Sequence, residues 1–241
     1  MAGSPEAVIA RVQGAAPRAS AAGSARLSYG LHRGAPTLEE WDLLGEGVAD
    51  FAARMTQVTQ LLIPGYMPEN MPSVPEAFAR PRELLYDGAT ELMRSGDSWF
   101  AVTDEDRDGP RSHQDPLWPL DALFGAGDDV VEAGTDTIRG VATTRHRLTV
   151  DLVAADEALH TGIGVPEGPF RRLRQVPAEV WLDDAGLARR IAIQNTAGNR
   201  EVWKVVEFWD FGVAAAITAP DAGQITTADP IDLQRILMED G

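Results

Sequence analysis

The chain of 241 residues has no cysteine and a single lysine, Lys204. The absence of cysteine excludes disulfides, thiolate metal ligands and cysteine nucleophiles. The other basic side chains are nearly all arginines, and 37 acidic residues give a net charge of −16. Because nucleic-acid binding needs clustered lysine and arginine, this charge argues against a nucleic-acid partner and disfavours an anionic membrane surface.

Long apolar runs are also missing. No segment approaches the roughly 20 apolar residues of a transmembrane helix. The N-terminal sequence MAGSPEAVIARVQGAAPRAS lacks a basic region followed by an apolar run, so it does not resemble a signal peptide. We therefore expect a cytoplasmic protein, or an exported one if a signal peptide has been removed.

The motifs of common enzyme classes are absent as well. Gly125-Ala126-Gly127 follows a predicted helix rather than a strand, which argues against a dinucleotide-binding loop. The four histidines lack the spacing of metal ligands, and no Gly-x-Ser-x-Gly elbow of a hydrolase is present. We expect no metal and no cofactor.

A hydrophobic content of 44% is ample for a core. Ser4-Pro5 has the form of a helix N-cap followed by proline, and Asp229-Pro230 marks the start of a last predicted helix. Gly14 to Ser24, rich in alanine and glycine, is predicted to connect the first helix to the sheet. Helices near both ends with strands between them predict one α+β domain, residues 1–241, with an antiparallel sheet.

The segment from Val130 to Leu152 carries the clearest strand pattern. We predict a short strand, a polar turn at Gly134 to Asp136, and a long strand from Ile138 onward. Side chains along this second strand alternate between an apolar and a polar face. His146 falls in the apolar row, which is either a core or the wall of a ligand cavity.

Other strands are predicted from alternation and from the turns that flank them. Gly96-Asp97 and Asp184-Ala185-Gly186 are the predicted hairpin turns, and Val48 to Ile63 fits either a strand pair or one long bent strand. The remaining predicted strands are Ala25 to Leu31, Glu83 to Arg94, Ser98 to Thr103, Val176 to Trp181, Leu187 to Gln194 and Glu201 to Phe211.

Three of these stretches resemble a known family. They are Val130 to Leu152, which contains RGVATTRHRLTVDL, VPAEVWLDDAGLARRIAI (Val176 to Ile193) and VVEFWDFGV (Val205 to Val213). They are similar to the C-terminal half of the LolA/LppX-like lipoprotein-carrier family of high-GC bacteria. The resemblance covers residues 115 to 220, and the N-terminal half matches only in its predicted strand order.

The resemblance implies a half-barrel, in which a strongly curved antiparallel sheet is closed by helices and loops. Its concave face would enclose a hydrophobic cavity for a lipid or another apolar ligand. The residues given contain no lipobox cysteine and no export-signal pattern, so we expect this chain to depart from many relatives. It also has His146 where such strands often carry an aromatic residue.

Two residues are candidates for proton transfer in such a cavity. His146 titrates near neutral pH, so it could act as a general acid or base, or be a hydrogen-bonded core histidine. Glu207 shares a strand face with Trp203 and Trp209, where a carboxyl group could exchange a proton with a ligand. That face could equally be the outer face of the sheet.

Alternation brings further candidate ligand-binding residues to the same face. The predicted strands Val176 to Trp181 and Glu201 to Phe211 could present the same side of the sheet to the cavity. In that case the cavity-facing neighbours would be Glu179, Trp181, Trp203 and Glu207. Ordinary cross-strand pairing would produce the same arrangement.

A proline-rich segment, Pro64 to Pro81, is predicted to be a long loop. It carries the large apolar side chains of Tyr66, Met67 and Met71, which are unusual for a loop. The segment is either a lid over a hydrophobic cavity or a covering that seals the sheet.

Two functions are compatible with these features. The first is binding of a hydrophobic, lipid-like or polyketide-like small molecule in the concave cavity. The second is a cofactor-independent cyclase or isomerase that folds a polyketide- or terpenoid-like substrate in the same cavity. A third hypothesis is a sensor domain that acts on a protein partner, and the sequence does not identify such a partner.

Overall fold

We describe a computed structural model of the chain, which places residues 4–33, 42–60, 81–87, 90–102, 115–159, 174–197 and 200–228. The helices are α1 (Pro5–Gln13), α2 (Ala15–Ala22), α3 (Trp118–Ala122) and α4 (Leu152–Leu159), with 3-10 turns at Leu123–Gly125 and Ala222–Gln224. The strands are β1 (Ser24–Arg33), β2 (Asp42–Asp50), β3 (Met55–Gln60), β4 (Arg82–Asp87), β5 (Thr90–Ser95), β6 (Ser98–Val102), β7 (Val131–Ile138), β8 (Val141–Asp151), β9 (Gln175–Leu182), β10 (Ala188–Ala197), β11 (Arg200–Trp209) and β12 (Ile225–Ala228).

The described strands form one sheet in the order β12-β6-β5-β4-β3-β2-β1-β11-β10-β9-β8-β7. All neighbours are antiparallel except β12 and β6, which run parallel. The sheet is open at both ends of this order and curves as a half-barrel with helices packed on it. The predicted α+β class with a strongly curved antiparallel sheet is confirmed.

The sheet has two faces with different coverings. On the helix-covered face, Val180, Ile191 and Val206 lie opposite one another on β9, β10 and β11. They belong to the main core together with buried residues of the helices, such as Val12 and Leu120. We call the opposite side the outer face. This division decides which predicted site residues can meet the same ligand.

The first helix begins as predicted, because Ser4 is its N-cap and its hydroxyl accepts a hydrogen bond from the backbone N–H of Ala7 at 3.3 Å. The prediction of a simple connection from Gly14 to Ser24 was wrong, since α2 occupies most of it. Three of its alanines, Ala15, Ala16 and Ala19, are buried. Small side chains let the helix lie close to the core, but they leave no apolar stripe in the sequence.

The turn predicted at Gly134 to Asp136 was also misplaced. These residues lie within β7, and the chain turns at Arg139 and Gly140, which have φ values of 47° and 80°. A two-residue turn with positive φ at both positions matches the twist of a hairpin. Glycine adopts that conformation readily, whereas Arg139 adopts it without any sequence signature.

Two other strand predictions needed revision. Glu83 to Arg94 is two strands, β4 and β5, which pair with each other. Val48 to Ile63 is a strand pair as far as it is described, because a turn at residues 51–54 separates β2 from β3. The hairpin turn at Gly96-Asp97 is confirmed. The last predicted helix, which starts at Asp229-Pro230, lies outside the described residues.

Candidate ligand-binding site

An apolar cleft of about 180 Å³ opens between the helices and the turn that follows β2. Phe51, Leu117 and Leu120 are buried residues of its lining. Arg54 also lines the cleft and donates a hydrogen bond to the buried carboxylate of Asp121 at 2.7 Å. A cavity of this scale admits a single aromatic ring. The cleft can therefore take a ring or the end of an alkyl chain.

A larger groove, of about 440 Å³, lies on the outer face. Its lining includes the charged residues Arg26, Glu46 and Glu83, together with Gln57 and Trp209. An apolar ligand would have to displace water from these groups without replacing their hydrogen bonds. The smaller cleft on the helix side is therefore the better site for an apolar molecule, despite its smaller volume.

The structure brings four of the predicted site residues together on the outer face. Arg190 lies opposite both Trp181 and Glu207, and the next outward-facing residue of β10, Ala192, lies opposite Glu179. Trp203 joins them, since it belongs with Trp181 and Ala192 to a second apolar cluster away from the main core. The expected neighbourhood exists, but on the face that the helices do not cover.

Glu207 is held by two arginines. Arg139 donates from Nε to Glu207 Oε2 at 2.8 Å, and Arg190 donates from Nε to Oε1 at 2.8 Å. Arg139 also donates to the hydroxyl of Ser28 at 3.1 Å and stacks over the ring of Trp209, 3.7 Å from its centroid. Both carboxylate oxygens of Glu207 are thus occupied as acceptors in charge-assisted hydrogen bonds.

Glu179 has a similar setting on the neighbouring strand. Arg147 donates from Nε to Glu179 Oε1 at 3.1 Å, and Arg145 Nη1 lies 3.8 Å from Oε2. The indole N–H of Trp181 donates to Asp136 at 2.8 Å. These residues, together with those around Glu207, form what we call the arginine network: Asp136, Arg139, Arg145, Arg147, Glu179, Trp181, Arg190 and Glu207.

The arginine network fastens the tip of the β7–β8 hairpin to the sheet. Arg139 is the turn residue of that hairpin, and Ile138 before it is buried in the apolar cluster of Trp181 and Trp203. A buried carboxylate with two guanidinium partners is chiefly a structural group, since breaking such a pair is costly. The network explains why charged side chains are buried on this face.

His146 lies on the other side of the sheet. It is opposite Val180 on β9, within the helix-covered face, and it is buried. Burial and the neighbouring Arg11 lower the pKa of His146, against an opposing effect of Glu132. The imidazole is therefore neutral near pH 7. His146 and Glu207, the two candidates for proton transfer, do not share a site.

Lys204 is the titratable residue that sequence reasoning left without a role. On β11 it alternates onto the helix-covered face, where it is opposite Leu31 of β1 and Ile193 of β10. Its ammonium donates to the backbone carbonyl of Asp115 at 3.0 Å. Burial lowers the pKa of Lys204 to about 7, although the carboxylates of Asp115 and Glu91 act in the opposite direction.

Other polar groups surround this lysine. The same carbonyl of Asp115 accepts from the backbone N–H of Trp118 at 3.1 Å. Tyr29 is on the adjacent strand, two positions from the residue that faces Lys204. Burial and the charge of Glu91 raise the pKa of the Tyr29 hydroxyl. We call Tyr29, Glu91, Asp115, Trp118 and Lys204 the Lys204 cluster.

Glu91 belongs to this cluster only because the sheet curves. It lies on β5, five strands from β11 in the sheet order, yet its charge acts on both Tyr29 and Lys204. A sequence signal for the cluster existed, since Lys204 is the only lysine and stands between apolar residues of a predicted strand. Only the register shows that it faces inward.

The predicted lid residues Tyr66, Met67 and Met71 lie outside the described residues.

Within the described ranges, no group of three or more histidine and acidic side chains is arranged to hold a metal ion. None of the helices described has the length and apolar character needed to span a bilayer.

Comparison with solved structures identifies the fold. The lipoprotein LppX of Mycobacterium tuberculosis matches with a TM-score of 0.54 at 10% identity, over 88% of this chain and 99% of that one. LprF of Mycobacterium bovis matches with a TM-score of 0.51 at 16% identity, over 92% of this chain and 100% of that one. The chain has the LolA/LppX-like fold.

The likeness to LppX and LprF is one of architecture. Both matches span nearly the whole of this chain and of the other protein, so they include the N-terminal strands that the sequence matched only by their order. No protein-family model and no curated protein sequence matches the chain. What a LolA/LppX-like sheet does here must therefore be argued from its own residues.

Proposed function

We propose that this protein binds a hydrophobic, lipid-like small molecule on the helix-covered face of its sheet. The observation that carries the proposal is the apolar cleft beside α2, α3 and α4, with Phe51, Leu117 and Leu120 in its lining. Binding sites for small molecules are typically apolar concavities with a few polar groups that fix orientation. Arg54 and Asp121 supply such polar groups in the lining.

The fold is consistent with the proposal. LppX, which this chain matches with a TM-score of 0.54, is a lipoprotein. An analogy at this level concerns the fold and does not identify a ligand, so the proposal depends on the cleft itself. Each square ångström of apolar surface that the ligand buries contributes about 25 cal/mol, so an alkyl chain can bind without specific polar contacts.

Native mass spectrometry of the purified protein tests the proposal. We expect an additional mass that survives gentle ionisation and is recovered by organic extraction as an apolar compound. The stripped protein should then bind the fluorescent apolar probe N-phenyl-1-naphthylamine. A protein that carries no ligand and does not bind this probe after extraction would contradict the proposed function.

A second candidate function is a cofactor-independent cyclase or isomerase acting on a polyketide- or terpenoid-like substrate. One observation favours it: His146 is buried on the helix-covered face and its pKa is lowered, so the imidazole can accept a proton near pH 7. Under this hypothesis His146→Gln retains the fold and loses turnover of an intermediate made by neighbouring biosynthetic genes. Full turnover by the variant removes His146 as the base.

A further inference from the structure

We propose that the ligand is an apolar aldehyde or ketone and that the amine of Lys204 adds to its carbonyl carbon to form an imine. This inference rests on the proposed function and names the chemical class of its ligand. The starting observation is that the amine of Lys204 is buried on the helix-covered face, where an apolar side chain would pack as well. A buried ammonium is unfavourable, so a lysine at this position needs a reason.

Unpaired donors near the lysine indicate an acceptor on the ligand. Within the described part of the chain, neither the Tyr29 hydroxyl nor the indole N–H of Trp118 has a hydrogen-bond partner, although both side chains are more than nine-tenths buried. An indole N–H can only donate, and a buried donor without an acceptor costs free energy. A carbonyl oxygen would satisfy such donors in the complex that precedes imine formation.

The charges around Lys204 favour a neutral acceptor over an anion. The carboxylates of Asp115 and Glu91 both act on Lys204, so two negative groups face one positive group. A carboxylate or phosphate headgroup would be repelled by these two groups. An aldehyde or ketone offers the same acceptor oxygen without a charge.

The cluster supplies the groups that imine formation needs. Burial holds the pKa of Lys204 at about 7, so a large fraction of the amine is unprotonated and nucleophilic at neutral pH. The Tyr29 hydroxyl stays protonated because its pKa is raised, and it can donate to the carbonyl oxygen. The carbonyl of Asp115 accepts from Lys204, and Leu117 and Leu120 of the apolar cleft follow Asp115 in the chain, although Lys204 is not itself among the residues that line the cleft.

The step balances without an oxidant or reductant. The nitrogen lone pair forms a bond to the carbonyl carbon as the carbon–oxygen π bond breaks, and one N–H proton passes to the oxygen to give a carbinolamine. The remaining carbon–oxygen bond then breaks, and the hydroxyl leaves as water with the second N–H proton, which leaves a carbon–nitrogen double bond to Nζ. Glu91, whose charge acts on both Tyr29 and Lys204, can relay the proton from nitrogen to oxygen.

Reductive trapping tests the inference directly, because Lys204 is the only lysine and the chain's α-amino group is the only other amine. The wild-type protein is incubated with dodecanal and sodium cyanoborohydride, and the product is mapped by peptide mass spectrometry. We expect an adduct at Lys204 with the mass of the aldehyde less one oxygen atom. Acetaldehyde, which lacks the alkyl chain, should label this position at least roughly tenfold less.

Two variants provide matched controls. Lys204→Arg keeps the positive charge without the nucleophile, and it should give no adduct at this position while still binding 1-dodecanol. Tyr29→Phe removes only a hydroxyl that has no partner among the described residues, so it should keep the fold and lower the labelling rate by roughly tenfold. The second variant keeps the test valid if the first fails to fold.

The outcomes separate this inference from the function on which it rests. Binding of 1-dodecanol by the wild-type protein without any adduct at Lys204 would overturn the imine and leave the proposed function intact. Failure to bind either dodecanol or dodecanal would overturn both. Equal labelling by acetaldehyde and dodecanal would contradict an apolar ligand.

Discussion

The two faces of the sheet bury charge in opposite ways. On the outer face, the carboxylate of Glu207 accepts hydrogen bonds from two guanidinium groups, Arg139 and Arg190. On the helix-covered face, Lys204 is buried among apolar residues, near the Tyr29 hydroxyl and the Trp118 indole N–H, which have no acceptor among the described residues.

Glu207, whose two oxygens both accept from arginines, is expected to stabilise the outer face. That face is not satisfied throughout, because Arg145 Nε, Glu179 Oε2 and Trp203 Nε1 are buried without a hydrogen-bond partner among the described residues. The difference between the faces is therefore a salt-bridged carboxylate on one side and a buried amine, a candidate for ligand chemistry, on the other.

The largest expected effect concerns Lys204. The unfolded chain keeps the lysine proton up to the ordinary pKa of 10.5, while the folded protein releases it at about 7. The folded protein therefore gains stability from this group as pH rises from about 7 to 10.5. Each pKa unit corresponds to about 1.4 kcal/mol, so the gain is up to about 5 kcal/mol.

Urea denaturation of wild-type protein and Lys204→Met at pH 7 and pH 10 measures this gain. The stability of the wild-type protein relative to the variant should increase at the higher pH. An identical difference at both values would show that the lysine is not buried as described.

The next effect concerns the arginine network. Arg190→Met leaves the buried carboxylate of Glu207 with one guanidinium partner, so we expect a loss of about 3 to 5 kcal/mol in the free energy of unfolding. The control is Arg26→Met, which removes an exposed ion pair with Asp210 and should cost less than about 1 kcal/mol. Equal losses in chemical denaturation would mean that the network does not stabilise the outer face.

The tip of the β7–β8 hairpin is expected to contribute somewhat less to the free energy of unfolding than the arginine network does. Ile138→Ala removes a buried side chain from the cluster of Trp181 and Trp203, and it should cost about 2 to 4 kcal/mol. Val131→Ala on the same strand changes a side chain that is 54% exposed, and it should change stability by less than about 0.5 kcal/mol. Thermal unfolding of both variants checks the difference, and neither should alter ligand binding.

The smallest effect concerns His146. Its pKa is lowered in the folded protein, so the unfolded chain binds a proton more readily as pH falls below 6.5. The wild-type protein should therefore lose stability on acidification below that value, and His146→Gln should lose less. The midpoints of unfolding at pH 7 and pH 5 give the comparison. A wild-type protein as acid-resistant as the variant would contradict the burial of a neutral imidazole.

Much of the fold could be predicted from alternation and turns. The hairpin of β9 and β10 and the strand β11 follow from period-two patterns around Asp184-Ala185-Gly186. Helix α2 could not be predicted in this way, because its buried residues are alanines. The turn at Arg139 was missed because its positive φ is accompanied by tertiary contacts with Ser28, Glu207 and Trp209, which the sequence does not show.

The candidate site was predicted less well, for a physical reason. Alternation groups Glu179, Trp181, Trp203 and Glu207 on one face but cannot say which face the helices cover. That depends on long-range packing of α2 and α3 against β10. Predicting the Lys204 cluster would also require the curvature of the sheet, because the cluster joins strands that are five positions apart in the strand order.

The central claim is that an apolar ligand binds on the helix-covered face, and one pair of variants tests it most directly. Ala16→Phe adds a ring to the apolar cleft, and Val48→Phe adds a ring to the outer groove. The dissociation constant of N-phenyl-1-naphthylamine is measured for both variants and the wild-type protein, after thermal unfolding has shown that they are folded. We predict at least roughly tenfold weaker binding for Ala16→Phe and wild-type affinity for Val48→Phe. Wild-type affinity in Ala16→Phe together with weakened binding in Val48→Phe would contradict the account.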